Sequence, residues 1–255
     1  MKISVVTICF NSGRTIAKTL RSIQNQSYQN IEVVVVDGGS TDNTIDVVGS
    51  FDNLVNVFVS EPDRGIYDAL NKGCCLATGD VIAILHSNDF FASQIVLDEV
   101  AKSFAKMADM DILLSSINFV TDNGDKITRE FSASGFKPWM LYLGLMPPHT
   151  GSFLRSKVYE QVGLFNTGYK IAGDFDLLVR ALLVEGLRYK IDPLVSVSMT
   201  AGGASTSGLR SYLTITNEFA QSLTKHGLFS CRPLIFFRAL FKVTQYKLRY
   251  FLILK

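Results

Sequence analysis

The chain has 255 residues, 47% hydrophobic, 19% charged and 11% aromatic, which excludes disorder and collagen-like structure and fits one globular unit of catalytic size. Its formal charge of +2 is too small to argue for nucleic acid as a partner. The charge is uneven, however: residues 232–255 carry six basic side chains and no acidic one, leaving −4 on the first 231.

The four cysteines, Cys9, Cys74, Cys75 and Cys231, match neither a zinc-ligand spacing nor a secreted disulfide framework, so reduced thiols are expected. The apolar run 3–10 leads into Asn11-Ser12-Gly13-Arg14 with no small-residue cleavage site, which argues against a signal peptide and for a cytoplasmic location.

Residues 3–10 are β-branched and apolar and read as a buried parallel strand. Ile16, Leu20 and Ile23, spaced i, i+4, i+7, predict a helix with Asn11 or Ser12 as its cap. A second strand over 31–36 stops at Asp37-Gly38-Gly39-Ser40, and Asp42 caps a helix running to about residue 49. A third strand covers 55–60, Ile66, Ala69, Leu70 and Gly73 mark a helix face, and a fourth strand covers 81–85. Such βαβα alternation predicts a mostly parallel sheet flanked by helices, with ligands beyond the carboxyl ends of the strands. Asn11, Asp37, Asp63-Arg64 and Ser87-Asn88-Asp89 all fall at those ends.

The second half is less regular. It reads as a helix near 93–107, a strand over 111–116, a turn at Asp122-Asn123-Gly124-Asp125 and a returning strand to about residue 131. After Met146-Pro147-Pro148 come a strand start at 149–153, a short helix near Val158 and a helix containing Gly173-Asp174-Phe175-Asp176. No internal repeat or low-complexity segment is present.

Four motifs occur in order: Val5-Val6-Thr7-Ile8-Cys9-Phe10-Asn11, Val36-Asp37-Gly38-Gly39-Ser40-Thr41-Asp42, Ser87-Asn88-Asp89 and Gly173-Asp174-Phe175-Asp176. Over roughly residues 1–205 the chain resembles the family 2 glycosyltransferases of the GT-A fold. Through Ser60-Glu61-Pro62-Asp63-Arg64-Gly65-Ile66-Tyr67-Asp68-Ala69-Leu70-Asn71-Lys72-Gly73 it is similar to bacterial O-antigen, capsule and exopolysaccharide transferases. The resemblance implies an α/β, Rossmann-like nucleotide-binding domain over 1–205, with a nucleotide-sugar half (1–115) and an acceptor half (116–205). Residues 206–255 would form a helical, membrane-associating extension.

Transfer from a nucleotide diphosphate needs charge neutralised on the leaving group, which a divalent metal can do. The resemblance makes Asp89 the ligand of Mn²⁺ or Mg²⁺, with His86 and Asn88 standing where the family often has acids and Asn88 touching ribose or metal. The bland reading of Asp89 is a helix cap. Thr7, Asn11, Asp37, Asp63, Arg64, Asp68 and Asn71 are the remaining nucleotide-sugar contacts it implies. The second acid of the family's pair, which resembles a uracil contact, is replaced by Gly38, leaving Asp37 to hydrogen-bond from one step away; the alternative for Asp37 is a turn-forming Asx geometry. Asp42 reads as a cap.

Arg64 or Lys72 would face the diphosphate, with surface ion pairing as the alternative. Asp174 matches the acid of the family's Glu-Asp motif, Gly173 replacing the Glu, and would be the base that takes the acceptor proton; a helix dipole would favour its charge. Asp176 is the weaker rival and His149 a diphosphate or acceptor contact or a structural residue, whereas His86 and His226 read as structural. Ser205, in Gly202-Gly203-Ala204-Ser205-Thr206, would belong to a segment closing over the donor or to an idle loop.

Arg238, Lys242, Gln245 and Arg249 share a helical stripe surrounded by apolar residues, an amphipathic cationic pattern suited to an anionic membrane surface. Lys247, opposite the stripe, argues for docking on the body or on a second copy, and a homodimer stays open. The expected function is inverting transfer of a hexose, galactose or glucose before N-acetylhexosamine, from a UDP-sugar. The acceptor would be an undecaprenyl-diphosphate-linked saccharide at the inner face of the bacterial cytoplasmic membrane. A nucleotidyltransferase and a non-catalytic nucleotide-sugar-binding module are the alternatives.

Overall fold

The computed structural model describes residues 1–121, 124, 126–200 and 209–238. Its strands are β1 (Ile3–Cys9), β2 (Ile31–Asp37), β3 (Val57–Ser60), β4 (Val81–Ile84), β5 (Asp89–Phe91), β6 (Ile112–Val120), β7 (Ile127–Phe131), β8 (Ser152–Arg155) and β9 (Tyr189–Thr200). The helices are α1 (Ile16–Gln24), α2 (Thr44–Gly49), α3 (Ile66–Leu76), α4 (Val96–Lys106), α5 (Ser156–Val162), α6 (Gly173–Val179), α7 (Leu209–Lys225) and α8 (Arg232–Phe236). All nine strands join one sheet in the order β3-β2-β1-β4-β8-β6-β9-β5, with β7 paired to β6.

The four predicted strands of the first half lie side by side and parallel, β1 running in register with β2 from Ile3↔Ile31 to Cys9↔Asp37. Beyond β4 the sheet is mixed: β8 is antiparallel to β4 and β6, β5 is antiparallel to β9, and β6 runs parallel to β9. The predicted return after β6 is the antiparallel β6–β7 pair; Asp122, Asn123 and Asp125 of its turn lie outside the described residues.

Strand β1 buries all seven residues because helices cover both faces. Val6 and Ile8 face one core with Leu70 of α3, Phe175 of α6 and Phe219 of α7. Ile3 and Val5 face the other with Ile16, Leu20 and Ile23 of α1 and Leu97 and Phe104 of α4. Each fully buried aliphatic side chain contributes about 2 kcal/mol, so the two layers fix the direction of the strands and hence where their ends meet.

Strand β9 escapes the sequence pattern for an identifiable reason. Its pairing with β6 slips between Leu114↔Ile191 and Ser116↔Val195, a bulge that contains Pro193. A proline inside a run argues against a strand, and only an irregular ladder accommodates it.

The described part of the C-terminal helical region docks on the body. Phe219, Ala220 and Leu223 of α7 and Ile235 of α8 lie in the same core as Phe175 and Leu178, so residues 209–238 pack as part of the body. Arg238, the first member of the expected cationic stripe, is 3% exposed; its guanidinium lies 4.0 Å from the centre of the Tyr212 ring and donates to Thr216 Oγ1 at 2.6 Å. Lys242, Gln245, Lys247 and Arg249 lie outside the described residues. Among the described residues no helix is long and apolar enough to cross a membrane.

Candidate active site

The carboxyl ends of β3, β2, β1 and β4 are adjacent, so the polar segments that follow them converge on one edge of the sheet. Asn11 leaves β1 with φ +47, a left-handed conformation that costs energy for a side chain other than glycine. Its Oδ1 accepts from Thr41 N at 2.9 Å and its own N–H donates to Ser40 Oγ at 2.7 Å, so the β1 and β2 loops hold each other. Asp42 accepts from Thr44 N at 3.0 Å and Gly13 N at 3.1 Å, tying the two loops together, while the N-cap position of α2 is taken by Asn43 rather than by Asp42 as expected.

Two of the expected nucleotide contacts, Asp37 and Thr7, are fully buried. The Asp37 carboxylate accepts from Ser40 N (2.9 Å), Gly39 N (3.1 Å), Ser60 Oγ (2.7 Å) and Ser40 Oγ. Burial raises its proton affinity, but these bonds outweigh burial and hold its pKa below the ordinary carboxylate value. Its lone pairs are spent on the loop, so Asp37 builds the site rather than touching a ligand. Thr7 is likewise fully buried within β1, its hydroxyl without a partner.

The place left by the missing acid at Gly38 is taken from elsewhere in the chain. A Cβ on Gly38 would lie 2.3 Å from Asp63 Oδ2, so the Asp63 carboxylate occupies the space a side chain at 38 would need. The Phe10 ring approaches the same point to 3.5 Å and is 60% exposed. Together they form an open aromatic face beside a carboxylate, which sequence reasoning passed over because Phe10 reads as the last residue of a buried strand. Phe10 is an exposed apolar residue immediately before a left-handed turn, and that was the available signal.

Asp68 and Lys72 belong to an ion-pair network on the β3–α3 loop. Asp68 accepts from Arg64 N at 3.1 Å and pairs with Arg64 Nη2 at 3.2 Å, while Lys72 reaches Glu61 at 2.7 Å and Pro62 O at 3.2 Å. The Arg64 side chain, 85% exposed, is the more available cation of the two.

At the β4 end, Asp89 is 3% exposed and its Oδ2 has no hydrogen-bond partner. Burial alone raises its pKa to about 7. Asn88 beside it is exposed, and Thr200, the last described residue before the Gly/Ser segment that contains Ser205, donates to Asn88 O at 3.2 Å. Residues 201–208, including Ser205, lie outside the described residues.

Because β8 runs antiparallel to β4, the residues preceding it return to the β4 end and place the His149 ring 6.1 Å from that of His86. Burial lowers the pKa of His86 to about 3, assisted by His149, and that of His149 to about 4, so both are neutral. The His149 Nε2 has no partner. A buried carboxylate with an unused acceptor oxygen and a neutral imidazole with an unpartnered ring nitrogen suit a divalent cation held by few protein ligands. No cluster of three or more His, Cys, Asp or Glu suited to a metal occurs among the described residues, so Asp89 would leave most of the coordination to water and substrate oxygens.

From His149 an aromatic wall leads to Asp174. The Phe165 ring lies 5.7 Å from His149 and 5.8 Å from Tyr67, and the Tyr67 hydroxyl donates to Ile171 O and lies 3.5 Å from Asp174 Oδ1. Burial raises the Asp174 pKa to about 6 against the opposing bond from Phe175 N. Burial therefore outweighs the favourable helix end that sequence reasoning emphasised, and leaves a carboxylate still ionised at neutral pH yet more basic than usual. Gly173 permits this: a Cβ there would lie 2.7 Å from the Tyr67 ring.

Asn71 and Asp176 are scaffold rather than ligand contacts. Asn71 pairs through both amide atoms with the backbone of Phe165, each bond 2.8 Å, and so fixes the aromatic wall. Asp176 is 1% exposed and binds Arg180 Nε (3.0 Å), Ser222 Oγ (2.8 Å) and His226 Nε2 (3.1 Å), on the side of α6 away from Asp174 as its 200° rotation requires. The groove between α7 and α8, about 760 Å³, is lined by neither carboxylate nor histidine.

A mixed sheet with a Rossmann-like parallel half, and the carboxylates Asp89 and Asp174 beyond its strand ends, is the architecture of a GT-A domain. The model of "Glycosyl transferase family 2" matches residues 4–177, and the chain belongs to that family of enzymes. It is 31% identical over 184 residues to an uncharacterised glycosyltransferase of Mycobacterium tuberculosis, covering 71% of this chain and 69% of the relative. A PGL/p-HBAD biosynthesis glycosyltransferase of Mycobacterium bovis is 28% identical, covering 69% of this chain and 68% of the relative.

The fold is that of S. aureus TarS 1–349 in complex with UDP-GlcNAc, with TM-score 0.70 and 22% identity over 88% of this chain and 66% of that one. The mannosyltransferase PcManGT of Pyrobaculum calidifontis, in complex with GDP-Man and Mn²⁺, gives 0.64 and 20% identity over 88% and 63%. The chain thus spans just under two thirds of either structure.

Proposed function

We propose that the protein is a metal-dependent, inverting hexosyltransferase that uses a UDP-sugar and a lipid-diphosphate-linked saccharide acceptor in bacterial O-antigen or related surface-polysaccharide assembly. The observation that carries this reading is the pair of carboxylates whose pKa is raised by burial, Asp89 with an unpartnered oxygen and Asp174 against Tyr67, along one wall of His86, His149, Phe165 and Tyr67. By contrast, Asp37 is surrounded by loop donors and Asp68 is held in ion pairs with Arg64 and Lys72.

In this mechanism Phe10 supplies a flat face for the base, and Asp63 accepts from a ring N–H beside Gly38. Arg64 faces the diphosphate. Asp89 and Asn88 would hold Mn²⁺ or Mg²⁺, which when bound neutralises charge on the leaving diphosphate. Asp174 accepts the proton of the acceptor hydroxyl as that oxygen attacks the anomeric carbon from the face opposite the diphosphate. One carboxylate suffices because the configuration inverts in a single displacement. His149 lies between the two carboxylates and is placed to line the acceptor side.

A UDP donor is supported by the UDP-GlcNAc complex of the similar TarS fold, and a role in glycoconjugate synthesis by the named biosynthetic role of the mycobacterial relative. Attachment to the inner face of the cytoplasmic membrane rests on the basic residues from Lys242 onward and on the exposed Phe229, Leu234, Phe236 and Phe237. Calorimetric titration of UDP with Mn²⁺ and then with EDTA, with GDP and CMP as competitors, tests the donor half. Metal-dependent, UDP-selective binding is the expected result; preference for GDP or indifference to metal would overturn it. Cosedimentation with anionic vesicles tests the membrane half.

A further inference from the structure

Helix α7 lies beyond the residues matched by the family model, yet it grips the turn that carries Asp174 from both sides. The carboxylate of Glu218 accepts three consecutive backbone N–H groups of the loop entering α6: Lys170 N at 2.9 Å on Oε1, and Ile171 N at 3.0 Å and Ala172 N at 2.9 Å on Oε2. The next residue, Phe219, stacks its ring on that of Phe175 at 3.7 Å. One and two turns further on, Ser222 and His226 hold Asp176. Flanked by a fixed loop on one side and by fixed neighbours at 175 and 176 on the other, Asp174 has little freedom of position.

We propose that Glu218 is a positioning residue for the catalytic base: it clamps residues 170–172 and, through that loop, sets the place of Asp174. The proposal rests on Asp174 being the base. The clamp is physically strong because a carboxylate accepting several backbone N–H groups makes charge-assisted bonds. It also bears on Tyr67, whose hydroxyl donates to Ile171 O within the clamped loop and lies against Asp174.

The groups acting on the Asp174 carboxylate are Tyr67 from α3, Glu218 from α7 and the N–H of Phe175 on its own helix; burial raises its proton affinity, the Phe175 N–H and Tyr67 lower it, and Glu218 raises it further. Removing the Glu218 charge therefore makes Asp174 a weaker base.

The test needs no substrate. The carboxyl carbon of Asp174 is titrated by NMR in the wild type, Glu218→Gln and Ser222→Ala, with amide exchange of residues 170–172 measured alongside in Glu218→Ala. The Asp174 midpoint is expected to fall by about half a pH unit or more in Glu218→Gln and to stay in place in Ser222→Ala, which loosens the same helix without touching the clamp. Exchange at Lys170, Ile171 and Ala172 should accelerate about tenfold or more in Glu218→Ala. An unmoved midpoint in Glu218→Gln would reduce Glu218 to a structural brace and overturn the proposal, whatever the exchange rates show. Failure of the base assignment appears elsewhere, as full turnover in Asp174→Asn.

Discussion

Asp37 and Asp89 stand at the ends of neighbouring parts of one sheet, both buried, and their environments are opposite. Asp37 is surrounded by donors from Gly39, Ser40 and Ser60 and has its pKa lowered; Asp89 has an oxygen with no donor at all and is raised to about 7. The difference lies in the loops that follow. Beyond β2 the chain turns back through small and hydroxyl-bearing residues that close on the carboxylate, whereas Asp89 begins a short strand whose backbone is engaged by Thr19 and β9 and whose side chain is left over. A carboxylate at a strand end is therefore not a site until its hydrogen bonds have been counted.

The sharpest way to break this comparison is to neutralise the second carboxylate whose pKa is raised by burial. Asp174→Asn should lower turnover by about 10² or more while UDP affinity, read by calorimetry, stays within a few-fold. Next in size, Asp89→Asn should abolish the Mn²⁺ contribution to UDP binding, and unchanged metal dependence would refute the ligand role.

Asp89→Asn also makes a stability prediction. The folded protein keeps the Asp89 proton up to about pH 7, whereas the unfolded chain releases it near 4, so the folding penalty grows across that interval and is complete above it. In EDTA the variant should melt several degrees higher than wild type at about pH 8, an effect of order 2–4 kcal/mol, and the gap should close at about pH 4.

Gly38→Ala tests whether the Asp63 carboxylate fills the space beside Gly38. The added Cβ should cost about 1–3 kcal/mol in denaturant melts, and Asp63→Ala in the same chain should recover most of it.

The smallest effect concerns Glu32, a satisfied carboxylate at the opposite end of the sheet. Burial raises its proton affinity, but bonds from Lys2, Ser4 and Thr78 more than reverse this and bring its pKa to about 2. Its stabilisation is therefore present above the unfolded value near 4.5 and is lost as pH falls through 2. Glu32→Gln should cost about 2 kcal/mol at neutral pH, and the melting difference should vanish near pH 2.

The parallel half of the fold was legible because continuous β-branched runs such as residues 31–36 have one stable use, a strand covered on both faces. The strand ends were legible for the same reason, since topology alone brings Asn11, Asp37, Asp63 and Asp89 to one edge. Whether each side chain faces a ligand or its own loop was not, because that depends on donors many positions away. Asn71 is paired with Phe165 and Asp176 with Ser222 and His226, contacts that no local spacing announces. The departures at Gly38 and Gly173 were visible as departures, and their reason became visible only in three dimensions: Asp63 and Tyr67 occupy the vacated space.

The burial of Arg238 bears on how this protein can be cut and recombined. A fragment ending where the family match ends, at residue 177, would strip Phe219, Leu223 and Ile235 from the core and expose the underside of α6. One ending before Arg238 would remove the guanidinium that lies over the Tyr212 ring. For domain exchange between related transferases, the transplantable unit accordingly extends at least to Arg238, and swaps made at the edge of the shared motifs should give insoluble chimeras whose failure says nothing about their active sites.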